Sequence, residues 1–426
     1  MYNTFPWSIE TATKRIKTLK KRLTMNATEL QSVFTQTFFS TLDAQVIAAK
    51  KIPDTPLKGA LVSVKDLFDV EGFVTKAGTR VMAQDCTASK DAQVVENLRN
   101  AGVIFIGHTN MTELAYSGLG LNPHYGTPDN AVLTGCIPGG SSAGAAISVA
   151  CDAADIAIGT DTGGSLRIPA AFNGIVGFKP TQGAVSRKGC KPLSTSLDSV
   201  GAMAKNVSAC RLAYQTLSKG RYIKHSTVDP TFIIPSNYGM ADSEPAVQQA
   251  FDAAIDKISM AGHRVDITTV DALEGLKSLA IWHFSAVESR AEYEDLYQSK
   301  REQLDPRVSS RMARADEVSA ISYCQTLSIR EQLIDQYKAE MGNKILLLPT
   351  VPILPPKLSI FSNDAVYTQI NLQVLRNPSI ANTIDGCSIS LPFTHETNTI
   401  GVMLTATAYN DESLLELAQE CELIFS

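Results

Sequence analysis

The sequence predicts an α/β fold with a largely covered sheet. Two stretches carry that prediction. Between residues 58 and 205, short apolar runs alternate with segments of helical periodicity. From 231 to 356 the same alternation resumes. The 426 residues exceed the ~250–300 at which single cores usually stop growing. A large domain or two to three small ones fit that length.

The elements follow in order. A run of bases, TKRIKTLKKRL at 13–23, reads as the solvated face of an N-terminal helix. A targeting or membrane-surface helix is the other reading. ALVSV (60–64) is a β-rich run that ends at Lys65 and Asp66. DAQVVENLRNAG (91–102) puts Ala92, Val95 and Leu98 at helical spacing and stops at Gly102. VIFIG (103–107) is the next strand. SSAGAAISVA (141–150) is a helix of small residues, and DIAIGT (155–160) a strand followed by the turn DTGGS. Downstream, TFIIPS (231–236) and HRVDITTV (263–270) read as strands. Between them, 243–262 puts Val247, Phe251, Ile255 and Ile258 on one helical face. Residues 282–341 are charged and helical, an insertion over one side of the sheet. KILLLPTVPILPP (344–356) is a strand running into a Pro-rich turn.

Composition narrows the function. Lys and Arg total 38, Asp and Glu 43, so the formal charge is −5 and nucleic acid or an anionic membrane is not expected as partner. Eight cysteines without a CxxC pair predict a reduced, cytoplasmic setting rather than a disulfide scaffold. The six histidines form no zinc signature, so no metal is expected. No apolar run reaches the ~18 residues of a membrane span, and the first 25 residues lack a signal-peptide core.

Chemistry concentrates in two glycine–serine turns, PGGSSAG (138–144) and GTDTGGSLRIPA (159–170). Neither is a phosphate loop, since GxxxxGK[ST] and GxGxxG are both missing. Successive backbone N–H groups at such a turn converge on one point, which suits a developing negative oxygen. A serine nucleophile needs a base, and no histidine lies in either turn. A neutral lysine is the other base known for serine. The candidate is Lys65 in VSVKDLFDVEG (62–72). Burial lowers a lysine pKa from about 10.4 by up to ~3–5 units. Two readings stand here: a buried base, or a surface ion pair with Asp66 or Asp69.

With these residues in view, the chain resembles the amidase signature family, the Ser–Ser–Lys amide hydrolases. The resemblance rests on VSVKDLFDVEG, GHTNMTELAYSGLGLNPHYGTPDN (107–130), PGGSSAGAAISVA (138–150) and GTDTGGSLRIPAAFNGIVGFKPTQG (159–183). LLLPTVP (346–352) and NPSIANTIDGCSISLPF (377–393) add to it. It implies a large mixed β-sheet core covered by helices on both faces. It also implies a single amidase domain over 1–426, with a helical region at 1–50, the signature core at 57–205 and the insertion at 282–341.

Carried over position by position, the resemblance makes Ser165 the nucleophile, Ser141 the bridging serine and Lys65 the base. It implies a cis peptide at Gly140–Ser141. The oxyanion hole would be the N–H groups of Thr162, Gly163, Gly164 and Ser165. Ser142, Asp161 and Arg167 would hold the two turns together. Ala143 stands where the family often has Gly or Ser, and it fits a helix start. The implied reaction is hydrolysis of a small-molecule carboxylic amide to acid plus ammonia or amine, through an acyl-enzyme, with no cofactor. A homodimer is common in the family. One rival is the glutaminase subunit of a tRNA-dependent amidotransferase. That subunit commonly carries Gln where this chain has Ile168, and the chain is somewhat short for the role. The other is a binding protein that kept the fold but lost catalysis. Tyr116, His124, Trp282 and Phe393 are candidate pocket residues, with packing as the alternative for each. Aryl amides, alkyl amides, carbamoyl-urea compounds and small esters all stay open as substrates.

Overall fold

The computed structural model describes residues 7–25, 27–220 and 231–426. His225 and the first six residues of the expected N-terminal helical region lie outside them. Among the described residues, eleven strands form one mixed sheet. In chain order they are β1 (Phe34–Thr37), β2 (Leu61–Lys65), β3 (Ile104–Thr109), β4 (Ile156–Asp161), β5 (Val176–Lys179), β6 (Ser199–Ala204), β7 (Phe232–Pro235), β8 (Val265–Thr268), β9 (Ile345–Pro349), β10 (Cys387–His395) and β11 (Asn398–Ala406). The spatial order is β1-β3-β2-β4-β6-β5-β10-β11-β9-β7-β8. β3, β2 and β4 run parallel, as do β9, β7 and β8. Antiparallel pairings from β4 through β6, β5, β10 and β11 to β9 join the two parallel groups.

The α-helices, again in chain order, are α1 (Ile9–Thr24), α2 (Leu42–Lys50), α3 (Gln93–Asn100), α4 (Ala143–Ala150), α5 (Arg167–Phe172), α6 (Val207–Ser218), α7 (Pro245–Met260) and α8 (Asp271–Ser278). The remainder are α9 (Trp282–Glu292), α10 (Glu294–Lys300), α11 (Pro306–Ala313), α12 (Ala320–Met341), α13 (Asp364–Arg376), α14 (Ser379–Thr383) and α15 (Asp411–Phe425). Strand alternation sorts them between the two faces of the sheet. Val62, Val64, Ile156 and Ile158 join a core with residues of α3, α6, α7 and α15. Leu61, Ile104, Ile106 and Ala157 point the other way, into a core with α1, α4 and α5. Each fully buried aliphatic side chain in these layers contributes roughly 1.5–3 kcal/mol.

The basic stretch is a surface helix. Ala12, Ile16 and Leu19 of α1 are buried, while Lys14, Arg15 and Arg22 pair with Glu10, Asp155 and Glu29. Element boundaries differ from expectation in informative ways. β3 runs on through His108 and Thr109, because β1 pairs along that end. The 1–50 region thus supplies an edge strand as well as helices. Lys65 is the last residue of β2 rather than the residue after it. Ala92 caps α3 instead of lying in it. β5, β6, β10 and β11 are strands that the sequence pattern does not predict. Ser199–Ala204 is made of small residues apart from Val200 and Met203, so its apolar signal is weak. Among the described residues, no helix is long and apolar enough to cross a membrane.

Candidate active site

The site begins with the pleat of β2. Leu61, Ser63 and Lys65 face α4, and the Ser63 and Ser148 hydroxyls, 2.8 Å apart, pin that helix to the strand. The same face carries the Lys65 amine to the N-terminus of α4, where Ser141 and Ser142 precede the first turn. Gly140–Ser141 is a cis peptide. A Cβ on Gly140 would lie 2.6 Å from the Gly120 nitrogen, so packing alone demands glycine there.

Lys65 is fully buried. Its Nζ donates to Ser141 Oγ at 2.8 Å and to Thr160 Oγ1 at 2.9 Å. Among the described residues no carboxylate pairs with it. Burial lowers its pKa to about 7; Cys190, Asp198 and Asp161 oppose the shift from a distance. The surface ion-pair reading is therefore excluded. Asp69 instead accepts from Thr75. Asp66 turns to His108, 3.4 Å away, and both are fully buried. Burial raises Asp66 to about 7 and lowers His108 to about 3. Asp66 therefore does not serve as a fixed counter-charge for Lys65.

β4 brings in the second turn. Ser165 is 3% exposed, and its hydroxyl has no hydrogen-bond partner among the described residues. No hydrogen bond joins it to Ser141 in this structure. The two turns are tied through the backbone instead, by Ser142 N–H to Ser165 O at 3.3 Å. The Ser142 hydroxyl reaches Thr160 O at 3.4 Å.

Asp161 and Arg167 form a fully buried pair, with Nη2 to Oδ1 at 2.8 Å. Arg167 opposes the cost of burial and brings Asp161 down to about 2. The carboxylate also accepts from Gly164 N–H at 2.8 Å and Leu166 N–H at 3.1 Å. This changes the expectation for Gly164, whose N–H is already engaged. What requires glycine at 164 is shape: φ is +129°, and a Cβ would meet Pro378 Cβ at 2.6 Å. Thr162, Gly163 and Ser165 keep N–H groups that bond neither this carboxylate nor a neighbouring loop. Gly163 is half-buried and its Cβ would meet only Leu375, at 3.4 Å.

Three residues at the site carried no sequence signal. Thr160 sits inside a strand, Asp198 ends an irregular turn, and Asn382 lies in α14 more than two hundred residues away. Asn382 bonds the Asp161 backbone and carboxylate and accepts from Arg167 at 2.8 Å. Of the candidate pocket residues, Tyr116 is buried and bonds Ser289 and Ser285 of α9. His124 bonds the buried Glu113 at 2.7 Å. Trp282 lies under Arg314, 3.5 Å from guanidinium carbon to ring centroid. Phe393 packs on Phe425 and Lys257, so its place is in the core.

The family model Amidase matches residues 8–415. The chain belongs to the amidase family. Amidase 1 of Arabidopsis thaliana is 32% identical, over 85% of this chain and 92% of the relative. The A-type subunit of a glutamyl-tRNA(Gln) amidotransferase from a Nitratiruptor species is 29% identical, over 95% of this chain and 99% of its own length. That coverage removes chain length as an argument against the subunit reading. Among solved structures, a crystal structure of an amidase superposes with a TM-score of 0.85 at 26% identity, covering 98% of this chain and 95% of the other.

Proposed function

We propose that this family member hydrolyses a small-molecule carboxylic amide, with Ser165 as nucleophile, Ser141 as proton bridge and Lys65 as base. The observation that carries the reading is the setting of Lys65. It is buried, and among the described residues it has no acidic partner and hydrogen-bonds only to hydroxyls. With its pKa near 7, the amine is neutral in a large fraction of molecules at neutral pH. A neutral amine accepts a proton from Ser141, and Ser141 takes one from Ser165 as Ser165 attacks the amide carbon. Closing the Ser141–Ser165 gap belongs to the substrate-bound state, since catalytic hydrogen bonds tighten there.

The carbonyl oxygen gains charge as the tetrahedral intermediate forms. Thr162, Gly163 and Ser165 N–H groups are the donors for it; Gly164 contributes the turn's shape. The proton returns through Ser141 to the leaving nitrogen, releasing ammonia or amine. Water, deprotonated by the same relay, then cleaves the acyl-enzyme and restores Ser165.

The test is ammonia or amine release over a panel of amides, with Ser165→Ala as control and glutamine included. Turnover of aryl or alkyl amides, lost in Ser165→Ala, supports the reading. The amidotransferase-subunit reading is favoured by the near-complete alignment with the Nitratiruptor relative. Against it stands Ile168, fully buried, with its side chain close to Gly118 and Gly164 where a glutamine would be expected. Turnover of glutamine alone, or of nothing without a partner protein, would decide for the amidotransferase role.

A further inference from the structure

The turn from Pro192 to Asp198 connects the second glycine–serine turn to α9 and α12, and its bonds form a continuous chain. Asp198, 2% exposed, stands at one end. Its Oδ1 accepts the Thr162 hydroxyl at 2.6 Å. Its Oδ2 accepts Leu193 N–H at 2.9 Å and Ser194 N–H at 3.1 Å. The other side of the same turn is held by Glu288 of α9. One carboxylate oxygen accepts the Ser194 hydroxyl at 2.5 Å and Ser196 N–H at 3.0 Å. The other accepts the hydroxyls of Ser196 and of Tyr323 from α12. These donors offset the cost of burial and leave the Glu288 pKa below its ordinary value.

Resting on the reading of Ser165 and its turn given above, we propose that Asp198 is a positioning residue that orients Thr162 for oxyanion stabilisation, with Glu288 and Tyr323 as its outer anchor. Thr162 is next to Gly163, and a glycine-rich turn has little stiffness of its own. An oxyanion donor contributes only when it is aimed before charge develops, because reorienting it during the reaction forfeits the gain. Asn382 already holds the Asp161 carbonyl of the peptide that carries the Thr162 N–H, at 2.9 Å, and the Thr162 side chain adds a second handle, a buried, charge-assisted bond at 2.6 Å. Glu288 then does for the 192–198 turn what Asp198 does for Thr162. Both carboxylates are thus engaged by donors on each oxygen and serve alignment.

The experiment compares turnover and inhibitor binding in variants along this chain. Thr162→Val is near-isosteric and removes only the hydroxyl. It is expected to lower kcat by roughly 10–100-fold, part of what a whole oxyanion donor contributes, with KM within about twofold. Affinity for a boronic acid that forms a tetrahedral adduct on serine should fall in parallel, while affinity for a non-reacting amide analogue stays. Thr162→Ser restores the hydroxyl and should recover kcat to within about threefold. Asp198→Asn can turn its oxygen to the Leu193 and Ser194 N–H groups and its amide N–H to the Thr162 hydroxyl, and should keep most of kcat, whereas Asp198→Ala leaves that hydroxyl without a partner and should match Thr162→Val. The double variant should lose no more than the larger single loss, since both break one link. Glu288→Gln should show a smaller kcat loss of the same kind.

If Thr162→Val keeps full kcat, or if the Thr162 and Asp198 losses multiply, the proposal is overturned. A matching fall in thermal stability with no kcat change per folded molecule would also overturn it, as it would make Asp198 merely structural. Ser165→Ala separates the two levels. If Ser165→Ala retains turnover, the reading of the site fails. If it abolishes turnover while Thr162→Val does nothing, only the alignment proposal fails.

Discussion

Lys65 and Lys179 are both fully buried lysines at the ends of strands in one sheet, yet their surroundings ask opposite things of them. Lys65 touches two hydroxyls. Lys179 donates to the Pro180 carbonyl at 2.7 Å and to the Ser199 hydroxyl at 3.2 Å. A hydroxyl can reverse its role and donate to a neutral amine; a carbonyl cannot. Burial lowers both, Lys65 to about 7 and Lys179 to about 8. Depressed pKa values are therefore common to both sites, and what separates them is place: Lys65 Nζ lies against Ser141 at the glycine–serine turn, while Lys179 Nζ is tied to the Pro180 carbonyl and to Ser199 of β6.

Ser165→Ala should abolish amide turnover, and retained turnover would remove it as nucleophile. Lys65→Met should lower kcat by several orders of magnitude in a protein that still folds, measured against circular dichroism and melting. Lys179→Met should do the reverse. It leaves a carbonyl without its donor, so stability should fall by about 1–3 kcal/mol while turnover per folded molecule holds. Equal losses of turnover in the two variants would erase the distinction.

The pH dependence tests the same point. The proposed base must be neutral, and its pKa is depressed, so kcat/KM should rise as pH climbs through about 7 and then level. A flat profile across the range from acidic to alkaline would exclude Lys65 as the titrating base. Stability carries its own sign. Between about 7 and the ordinary lysine value of 10.5, the unfolded chain holds a proton that folded Lys65 lacks. Stability contributed through Lys65 therefore rises with pH across that window. Lys65→Met should flatten this rise, as seen in denaturant midpoints at several pH values.

The smallest expected effect concerns the bare path to Ser165. Packing does not force glycine at 163, where a Cβ would meet only Leu375 at 3.4 Å. Gly163→Ala should leave melting within about 1 kcal/mol. It should slow turnover, more for bulky amides than for small ones, if the carbonyl approaches over that position. Equal slowing of all substrates would place the approach elsewhere.

Legibility differs from residue to residue. The two glycine–serine turns and their separation mark the site in the sequence, because a turn that must offer bare N–H groups is written in small residues. Helices α3 and α7 follow from their apolar spacing and closing glycines, and α4 from its run of small residues. β5 and β6 are hidden, since Val176–Lys179 and Ser199–Ala204 are buried on both sides and show no alternation to read. Gly164 has the sequence signature of one more oxyanion donor, and only the fold reveals that Asp161 occupies its N–H.

The grouping of Lys65 with Ser141 and Ser165 followed only from the family resemblance; by itself, the sequence determined the α/β class and the small-residue turns. These are local matters of side-chain size, periodicity and spacing. Tertiary structure decided whether Lys65 is buried, which N–H groups remain available, and that Thr160, Asp198 and Asn382 meet the turns. Burial and the partners of a charge depend on what packs over a residue. For this site the covering groups come from β4, the 192–198 turn and α14, and no local pattern in the chain announces that they meet.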